Sequence, residues 1–539
     1  MAKISVDKIL EKLSLEDLVG QVLCYDISDN DDPKEVEEII KNIRPGGIFI
    51  THMTAEKIKM YTEMVNKYTK VPCIVASDIE NGPETAVKDS GYIPHAMAWG
   101  ACDNAELLER AGSSIAAICR KNGVHWTYSP VVDINYNFQS AECNIRAIAD
   151  TPEQVVKMAS AFIKGMEKNK YMATCCKHFP GEGVDDRNSH FVTTVNSLSK
   201  EEWMNTYGYV YKKMIELGVP SIMVGHTSLP AYEEDIHPLF GAPPAVLSYS
   251  LMTKLLKEEL GFDGCVVSDA MSMIGVAARV PDLTEISLRF LNAGGDMVLF
   301  PEPTDYEVIL KGVKNGRLSL ERLKDAVKRV LKLKEKVRLL EEKNSWADNI
   351  SVPENLSAIA QEIADKSIKI VRDYDTILPL KIKGRGNILM INMLEPYFHK
   401  NPTGMEFDAL RKELESNGCK VDVITNPKHK VIQNMIYNYD AVLLNCKMSS
   451  KDYHGGSLRI GWNNIMTFWR GYVLQHPKFI FISFGDPYKL YDAPYLKEYI
   501  NAFSYSDASQ RAVAKVLLGK IKAEGKNPVA FEGFFEREI

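Results

Sequence analysis

Short apolar runs alternate with longer amphipathic stretches through the first 340 residues of this 539-residue chain. This alternation is the sequence feature that constrains the fold most strongly. The eight runs are LVGQVLCYDI, GGIFITH, CIVASD, WTYSPVVD, MATCCKHF, SIMVGHT, CVVSDAM and DMVLFPE. Stretches between them, such as AELLERAGSSIAAICRKNG, repeat apolar residues at intervals of three and four and end on glycine, as helices do. Eight strands alternating with helices predict an α/β fold with parallel pairing, a (β/α)8 TIM-like barrel.

The remainder of the chain is predicted to form a smaller α/β sandwich domain after the barrel. A charged helical stretch, LSLERLKDAVKRVLKLKEKVRLLEE, closes the barrel region. We therefore expect the barrel to span residues 1–340, a linker 341–355 and the second domain 356–539. The strand-like segments NILMIN, VDVIT, DAVLLNC and KFIFISFG predict a parallel sheet there. The glycine-rich loop 453–457 is expected to be a surface turn.

Composition restricts the partners that we expect. The net charge of −6, with no polybasic segment, argues against nucleic acid and against a membrane surface. No apolar run approaches the ~20 residues that span a bilayer, and the amino terminus lacks the features of a signal peptide. The 10 cysteines show no CxxC spacing, which favours a reducing compartment. We predict a cytoplasmic protein with a small ligand, and we make no prediction about its oligomeric state.

Polar side chains follow six of the eight apolar runs. They are Asp26, Asp78, Asp133, Lys177 with His178, His226 and Asp269. A single one of them would equally well cap a helix or form an ion pair in the core. Active sites of barrels are built at the carboxyl ends of the strands, so six such residues together predict one site there.

The residue types at these positions suit the cleavage of a glycosidic bond. A retaining mechanism needs a carboxylate nucleophile and a proton donor near the leaving oxygen. Asp269 ends an apolar run that should hold its carboxylate rigidly. The stretch KHFPGEGVDDRNSH, from Lys177 to His190, adds two histidines, a lysine, an arginine and three acids within fourteen residues. It therefore offers both proton donors and hydrogen-bonding partners for sugar hydroxyls.

Several longer stretches carry a resemblance to a known family. They are LSLEDLVGQ, DIENG, PHAMAWGA, SPVVDIN, KHFPGEG, GFDGCVVSDAMSM, AGGDMVLFP and QEIADKSIKIV. With them the chain resembles glycoside hydrolase family 3, in particular its two-domain β-N-acetylglucosaminidases. The resemblance implies that Asp269 is the nucleophile that forms a covalent glycosyl-enzyme. It also implies a set of residues around the sugar, with His226 as a further candidate for the pocket wall: Asp78, Arg146, Lys177 and His178.

The same resemblance raises a question about the proton donor. In this branch of the family a loop after KHFPG carries an Asp-x-His dyad, and the matching residues here are Asn188, Ser189 and His190. His190 is therefore the expected acid/base, and Asn188 stands where relatives have Asp. An asparagine carbonyl can orient the imidazole, but it supplies no negative charge to stabilise the imidazolium that acts as the acid.

Three explanations of this substitution stay open at the level of sequence. Asp186, or its neighbour Asp185, pairs with His190 in place of the missing carboxylate. Glu182, where relatives often have histidine, is the acid itself. In the third, the protein cleaves only good leaving groups, or it binds sugar without cutting it.

The function predicted from all of these features is a retaining, exo-acting β-glycosidase that releases N-acetylglucosamine from a small carbohydrate substrate. The alternatives are a β-glucosidase or β-xylosidase of the same family, a glycoside phosphorylase and a catalytically impaired sugar-binding homologue. No HExxH motif or paired histidine spacing is present, so neither a metal nor a cofactor is expected.

Overall fold

The computed structural model describes residues 5–234, 236–277, 285–341, 349–381, 386–394, 407–433, 435–447, 460, 474 and 476–539. Helices and strands alternate along these residues, so the protein has the α/β fold that the sequence predicts. Contacts divide the chain into two compact units. The first comprises Met1–Tyr92, Leu108–Ile134 and Val155–Leu356; the second comprises Ile93–Leu107, Asn135–Gln154 and Ser357–Ile539. The loop 453–457 lies outside the described residues.

The described strands of the first unit are short and mostly parallel. They are β1 (Leu23–Ile27), β2 (Gly47–Ile50), β3 (Ile74–Ser77), β4 (Trp126–Thr127), β5 (Cys175–Phe179), β6 (Thr194–Val195), β7 (Ser221–Val224), β8 (Thr227–Ser228), β9 (Cys265–Ser268) and β10 (Val298–Leu299). One sheet has the order β10-β1-β2-β3-β4, a second has the order β5-β7-β9, and β6 pairs with β8. Two parallel bridges, Trp126 to Ala173 and Val267 to Met297, continue this pairing beyond the sheets. Each of the eight predicted apolar runs contains one of these strands.

The apolar runs form strands because both of their faces are buried. Every residue of β2, β3, β5, β7 and β9 is buried. Parallel strands covered on both faces are near-continuous hydrophobic segments, which is how these runs are composed. Ile74, Trp126, Cys175 and Val267 belong to one hydrophobic cluster that the strands share. This core holds the strand ends, and therefore the polar residues that follow them, in fixed positions.

Helices connect the strands. From the amino terminus they are Val6–Leu10, Leu15–Gln21, Pro33–Ile43, Ala55–Tyr68, Ala96–Cys102, Ala105–Lys121, Pro152–Glu167, Lys200–Asn205, Tyr207–Leu217, Ser250–Glu259, Ile274–Ala277, Ile286–Ala293, Asp305–Lys314 and Leu320–Lys336. Capping boxes at Ser14 and Ser199 begin two of them, and Gly218 and Gly294, both with positive φ, end two others. Within the described ranges, no helix has the length and apolar character needed to cross a membrane.

The second unit contains one six-stranded sheet. Its strands are β11 (Lys369–Asp373), β12 (Asn387–Leu394), β13 (Lys420–Thr425), β14 (Ala441–Lys447), β15 (Phe479–Ser483) and β16 (Glu498–Asn501), in the order β11-β16-β15-β14-β12-β13. All pairs are parallel except β11 with β16. The helices are Leu356–Ser367, Asp408–Ser416, His429–Gln433 and Asp507–Leu517. The four predicted strand segments correspond to β12–β15, so the predicted parallel sheet is present; a further parallel strand, β16, and an antiparallel edge strand, β11, are added.

Candidate active site

The strand ends of the first unit carry most of the predicted site residues. They are Asp78 after β3, Asp133 after β4, Lys177 and His178 in β5, His226 after β7 and Asp269 after β9. Because β5, β7 and β9 are parallel neighbours, their carboxyl ends meet at one edge. A hydrogen bond of 2.9 Å from the Asp269 N–H to the Val224 carbonyl joins the ends of β9 and β7. Asp26 differs from the others because it lies inside β1 and is exposed.

Lys177 is the buried cation at this edge. Its Nζ lies 2.6 Å from Oδ1 of Asp78 and 2.9 Å from Oε1 of Glu80. The lysine side chain is 3% exposed, whereas that of Asp78 is 48% exposed. Lys177 therefore orients a carboxylate that remains open to a ligand. Glu80 lies within the DIENG segment, but no sequence pattern identifies it as a partner of Lys177.

His178 is held by a carboxylate behind it. Its Nδ1 lies 2.7 Å from Oδ2 of Asp133, and its backbone N–H donates to both Asp133 oxygens at 3.2 Å. The backbone N–H of Glu182 donates to Asp133 Oδ1 at 2.8 Å. Asp133 thus links β5 to the loop that follows it. The bond from Nδ1 to Asp133 also fixes the orientation of the His178 ring.

Among the described residues, Asp133, His178 and Glu182 form one group whose ligand-type atoms lie within 4.8 Å of one another. Carboxylate and imidazole groups suit several divalent cations. However, the Asp133 oxygens already accept N–H groups from His178 and Glu182. The 2.7 Å separation of His178 Nδ1 and Asp133 Oδ2 is a hydrogen-bond distance, which requires a proton between these atoms. We therefore assign a proton to this position and treat the cluster as a hydrogen-bonded network.

Asp269 lies where β9 ends, with Oδ1 accepting the Ala270 N–H at 2.8 Å. Burial alone would raise the pKa of its carboxyl group. Electrostatic interactions with His178, His226 and Lys177 and the hydrogen bond from this backbone N–H oppose burial and hold the pKa below its usual value. At neutral pH Asp269 is therefore a carboxylate, the form in which this group is a nucleophile.

His226 is fully buried between β7 and β8. Its Nε2 lies 3.0 Å from the Ala270 carbonyl and donates to it, which fixes the proton on that nitrogen. Nδ1 is then an acceptor, and it is buried with no hydrogen-bond partner in the described part of the chain. Burial lowers the pKa of His226 although the charge of Asp269 favours its protonated form. His226 thus supports the segment after the Asp269 carboxylate and offers one neutral acceptor.

The acid/base loop, which we define as residues 181–190, contains the dyad predicted from sequence. Oδ1 of Asn188 lies 2.8 Å from Nδ1 of His190 and accepts the His190 backbone N–H at the same distance. The asparagine amide thus acts as an acceptor that orients the imidazole. Asn188 is buried, and His190 is half-buried.

The loop packs against the segment that follows Asp269. The Ile274 N–H donates to the His190 carbonyl at 3.1 Å. Gly275 approaches the loop so closely that a Cβ there would lie 1.9 Å from the Ser189 carbonyl oxygen. Only a glycine fits this contact. His190 is therefore held beside the same strand end that carries the candidate nucleophile.

The three acids considered as substitutes for the missing carboxylate have other surroundings. Asp185 forms a bidentate ion pair with Arg187 at 2.6–3.2 Å. Asp186 is exposed. Glu182 is buried and its carboxylate faces His178 at 3.7 Å. On the loop histidine, Nδ1 is the nitrogen that a substitute acid would contact. It is bonded to the amide oxygen of the dyad asparagine instead.

Arg146 belongs to the second unit, in the 3-10 turn Asn144–Arg146. Its Nη1 lies 3.2 Å from Oε2 of Glu142 and donates to the Glu142 carbonyl at the same distance. Apart from Arg146, the predicted site residues lie in the first unit. The participation of Arg146 in the sugar pocket stays a prediction.

Comparisons with known proteins identify the family of the chain. Residues 14–333, more than half of the chain, match the model of the glycosyl hydrolase family 3 N-terminal domain. The chain is 28% identical to a protein of Cellulomonas fimi named beta-N-acetylglucosaminidase/beta-glucosidase, over 98% of this chain and 96% of that protein.

Two solved structures are similar over nearly the whole chain. Beta-glucoside phosphorylase BglX bound to 2FGlc has a TM-score of 0.87 at 30% identity, covering 97% of this chain and 96% of that chain. A glycoside hydrolase family 3 beta-N-acetylglucosaminidase from Paenibacillus sp. str. FPU-7 has a TM-score of 0.83, covering 96% and 99%. At 22% identity, the second similarity concerns the fold alone. Because the family model matches more than half of the chain, the chain belongs to glycosyl hydrolase family 3 and is a glycoside hydrolase.

Proposed function

We propose that this glycoside hydrolase is a retaining, exo-acting β-N-acetylglucosaminidase with Asp269 as its nucleophile and His190 as its acid/base. The observation that carries the proposal is Asp269, a strand-end carboxylate kept ionised by the charges around it. The name of the Cellulomonas fimi relative, which includes both N-acetylglucosaminidase and glucosidase, supports the sugar class.

In the first step, the Asp269 carboxylate attacks the anomeric carbon while the glycosidic C–O bond breaks. The His190 imidazolium gives its Nε2 proton to the departing oxygen, so the aglycone leaves as a neutral alcohol. The product of this step is a covalent glycosyl-enzyme on Asp269. In the second step, neutral His190 removes a proton from water, which attacks the same carbon and releases the sugar with retained configuration.

Asn188 orients His190 throughout both steps because its carbonyl accepts the Nδ1 proton. A neutral amide does not stabilise the imidazolium as a carboxylate would. The first step therefore receives less help from the acid than a carboxylate–histidine pair gives. We expect turnover to depend strongly on how well the aglycone leaves without protonation.

The sugar hydroxyls are bound by the remaining strand-end residues in this proposal. Asp78, oriented by Lys177, accepts hydrogen bonds from hydroxyls, and His178 donates from Nε2. His226 offers its neutral Nδ1, and Arg146 is included among the sugar-binding residues by the family resemblance alone. Exo action is proposed because a loop beside the strand ends favours a closed pocket over an open cleft.

For the fold, we propose that β1–β5, β7, β9 and β10 form one (β/α)8 barrel, followed by an α/β sandwich domain. The two sheets and the two parallel bridges support this, since together they pair the eight strands in a closed order. The boundaries proposed from sequence, 1–340 for the barrel, 341–355 for the linker and 356–539 for the second domain, belong to this proposal.

A second candidate function is a glycoside phosphorylase, in which inorganic phosphate instead of water accepts the glycosyl group. Two observations favour it. Neighbours named beta-glucoside phosphorylase BglX have TM-scores of 0.86 and 0.87. Asn188 also replaces a carboxylate at the dyad, which removes one source of repulsion against phosphate. A phosphorylase would release the sugar 1-phosphate.

One set of assays tests both candidates. The substrates are 4-nitrophenyl β-N-acetylglucosaminide and an unactivated disaccharide with the same terminal sugar, each with and without phosphate. The hydrolase predicts free sugar that appears first as its β-anomer, at a rate that phosphate does not change. The phosphorylase predicts that sugar 1-phosphate forms instead, and only when phosphate is present. Faster turnover of the matching glucoside or xyloside would reject N-acetylglucosamine as the substrate sugar.

A further inference from the structure

His178 lies between two buried carboxylates. Its Nδ1 is 2.7 Å from Oδ2 of Asp133 and 3.7 Å from Oε2 of Glu182. The side chains of Asp133 and Glu182 are 1% and 4% exposed. In the proposed mechanism, His178 acts only as a hydrogen-bond donor to the sugar. This role does not explain why a second carboxylate, that of Glu182, lies near the same ring nitrogen.

The two carboxylates act differently on the ring. Asp133 accepts the Nδ1 proton and two backbone N–H groups, so its oxygens serve as acceptors that fix the ring orientation. Glu182 is farther from Nδ1 than a hydrogen bond reaches. At 3.7 Å its effect on the ring is one of charge, because an opposite charge within ~4–6 Å favours the ionised form of a group.

Glu182 is itself held in this position by its surroundings. Thr227 Oγ1 donates to Oε1 at 3.4 Å, and the Tyr207 hydroxyl donates to the Glu182 carbonyl. Gly225 lies against both side chains, since a Cβ there would be 3.1 Å from His178 Cβ and 3.8 Å from Glu182 Oε1. The close approach of the glutamate to the imidazole is therefore part of the packing.

We propose that Glu182 is a positioning residue that, together with Asp133, keeps His178 doubly protonated, so that His178 donates from Nε2 to the sugar and holds a positive charge beside Asp269. The inference rests on the proposed function, in which Asp269 is the nucleophile. Glu182 acts through His178 and does not touch the reacting atoms.

The charged and titratable groups around His178 come from every strand end that packs on it. They are Lys177 in β5, Asp133 after β4, His226 after β7, Asp269 after β9 and Glu182 in the loop. Burial is the largest influence on the pKa of Asp269, and it raises that pKa. The charge of His178 is the next largest influence, and it lowers that pKa. Loss of the second proton from His178 would therefore weaken the ionisation of the nucleophile.

This role differs from that of a general acid in a way that kinetics can separate. An acid at Glu182 would matter for a poor leaving group and very little for nitrophenol, which leaves without protonation. A positioning residue that maintains the charge next to Asp269 affects formation of the glycosyl-enzyme from both substrates.

The test begins with 15N-histidine NMR of the full chain, with the His178 signals assigned by comparison with His178→Gln. The native protein is expected to show both ring nitrogens of His178 protonated through about pH 6 to 8. In Glu182→Gln the ring is expected to become neutral within this range. A neutral His178 in the native protein, or an unchanged His178 in the variant, would overturn the proposal. The native titration can overturn the proposal even if the variant does not fold.

Kinetics then test the consequence with the aryl glycoside and the disaccharide. In Glu182→Gln we expect kcat/KM to fall by about tenfold for both substrates, with the acid limb of its pH profile moved to higher pH. Glu216→Gln is the matched control, because it makes the same change at a carboxylate outside the site whose side chain is 63% exposed; its profile should match the native one. Loss confined to the disaccharide would make Glu182 the acid and contradict the proposal. If the native protein cleaves neither substrate while His178 is doubly protonated, the proposed function fails and the charge assignment stands.

Discussion

Two regions of the first unit handle their charges in opposite ways. At the strand-end floor, which we define as Asp78, Lys177, His178 and Asp269, charged groups are paired with partners of opposite charge. In the acid/base loop, His190 is half-buried and its partner is the neutral amide of Asn188. The protonation state of the nucleophile is therefore determined by the fold, whereas that of the acid depends on solution pH and on the substrate.

This difference follows from where the two regions lie. Strands buried on both faces exclude water, so a charge at their ends persists only with an ionic or hydrogen-bonded partner. A partly exposed loop residue keeps contact with water, and its partner can be neutral at small cost. The comparison predicts that changes at the floor have large effects on both binding and stability, and that changes in the loop mainly alter the response to the leaving group.

The largest effect is expected from Asp269→Asn. The amide keeps the shape of the side chain and cannot form the glycosyl-enzyme, so kcat should fall by about 10⁴-fold or more for every substrate. The matched control is Asp263→Asn, a change on the same approach to β9 at a carboxylate whose side chain is 76% exposed; its kcat should stay native. Comparable turnover in Asp269→Asn would remove this residue from the mechanism.

The next effect concerns Lys177, whose loss leaves two carboxylates near each other without their cation. Lys177→Gln should destabilise folding by about 3 kcal/mol and raise KM strongly, because Asp78 loses the group that orients it. Urea unfolding and steady-state kinetics measure the two effects. Adding Glu80→Gln should restore much of the stability and leave KM high, which separates charge balance from sugar binding. If the double variant also regains native KM, Lys177 is a structural residue only.

A smaller effect, in the favourable direction, is expected for Asn188→Asp in the loop. A carboxylate on Nδ1 favours the imidazolium, so kcat/KM for the disaccharide should rise about tenfold and its basic limb should move to higher pH. The aryl glycoside should change little. Asp186→Asn is the control within the same loop; it should leave both substrates unaffected, and a selective loss on the disaccharide would instead identify Asp186 as a partner of the acid.

Sequence patterns were sufficient for the eight strands that the apolar runs of the first unit contain and for the polar residues at their ends, because burial on both faces leaves a continuous apolar run that stops where polar residues begin. They also located Asn188 and His190 by resemblance. They did not identify Glu80 as the second partner of Lys177 or Glu182 as a neighbour of His178. Which acid approaches which base depends on side-chain packing between strand ends that are distant in sequence, and spacing within one segment carries no information about it.

The smallest effect is expected for the ion pair of Asp185 with Arg187, which fastens the acid/base loop. Asp185 Oδ2 also accepts the Val195 N–H at 2.8 Å. Burial would raise the pKa of Asp185, but Arg187 and the backbone donors lower it below its usual value. Because Arg187 is half exposed, water screens the pair, and Asp185→Asn should cost less than about 1 kcal/mol at pH 7.

The pH dependence of that cost has a definite sign. A carboxyl group with a lowered folded-state pKa stabilises the protein fully above its unfolded pKa of about 4, and this stabilisation is lost as the pH falls through the folded value. Native and Asp185→Asn proteins should therefore differ in urea-unfolding free energy at pH 7 and converge in acid. An equal difference at both pH values would mean that the contact acts through packing. A cost of several kcal/mol would mean that the loop is held by buried charge as firmly as the strand-end floor, and the contrast between the two regions would be wrong.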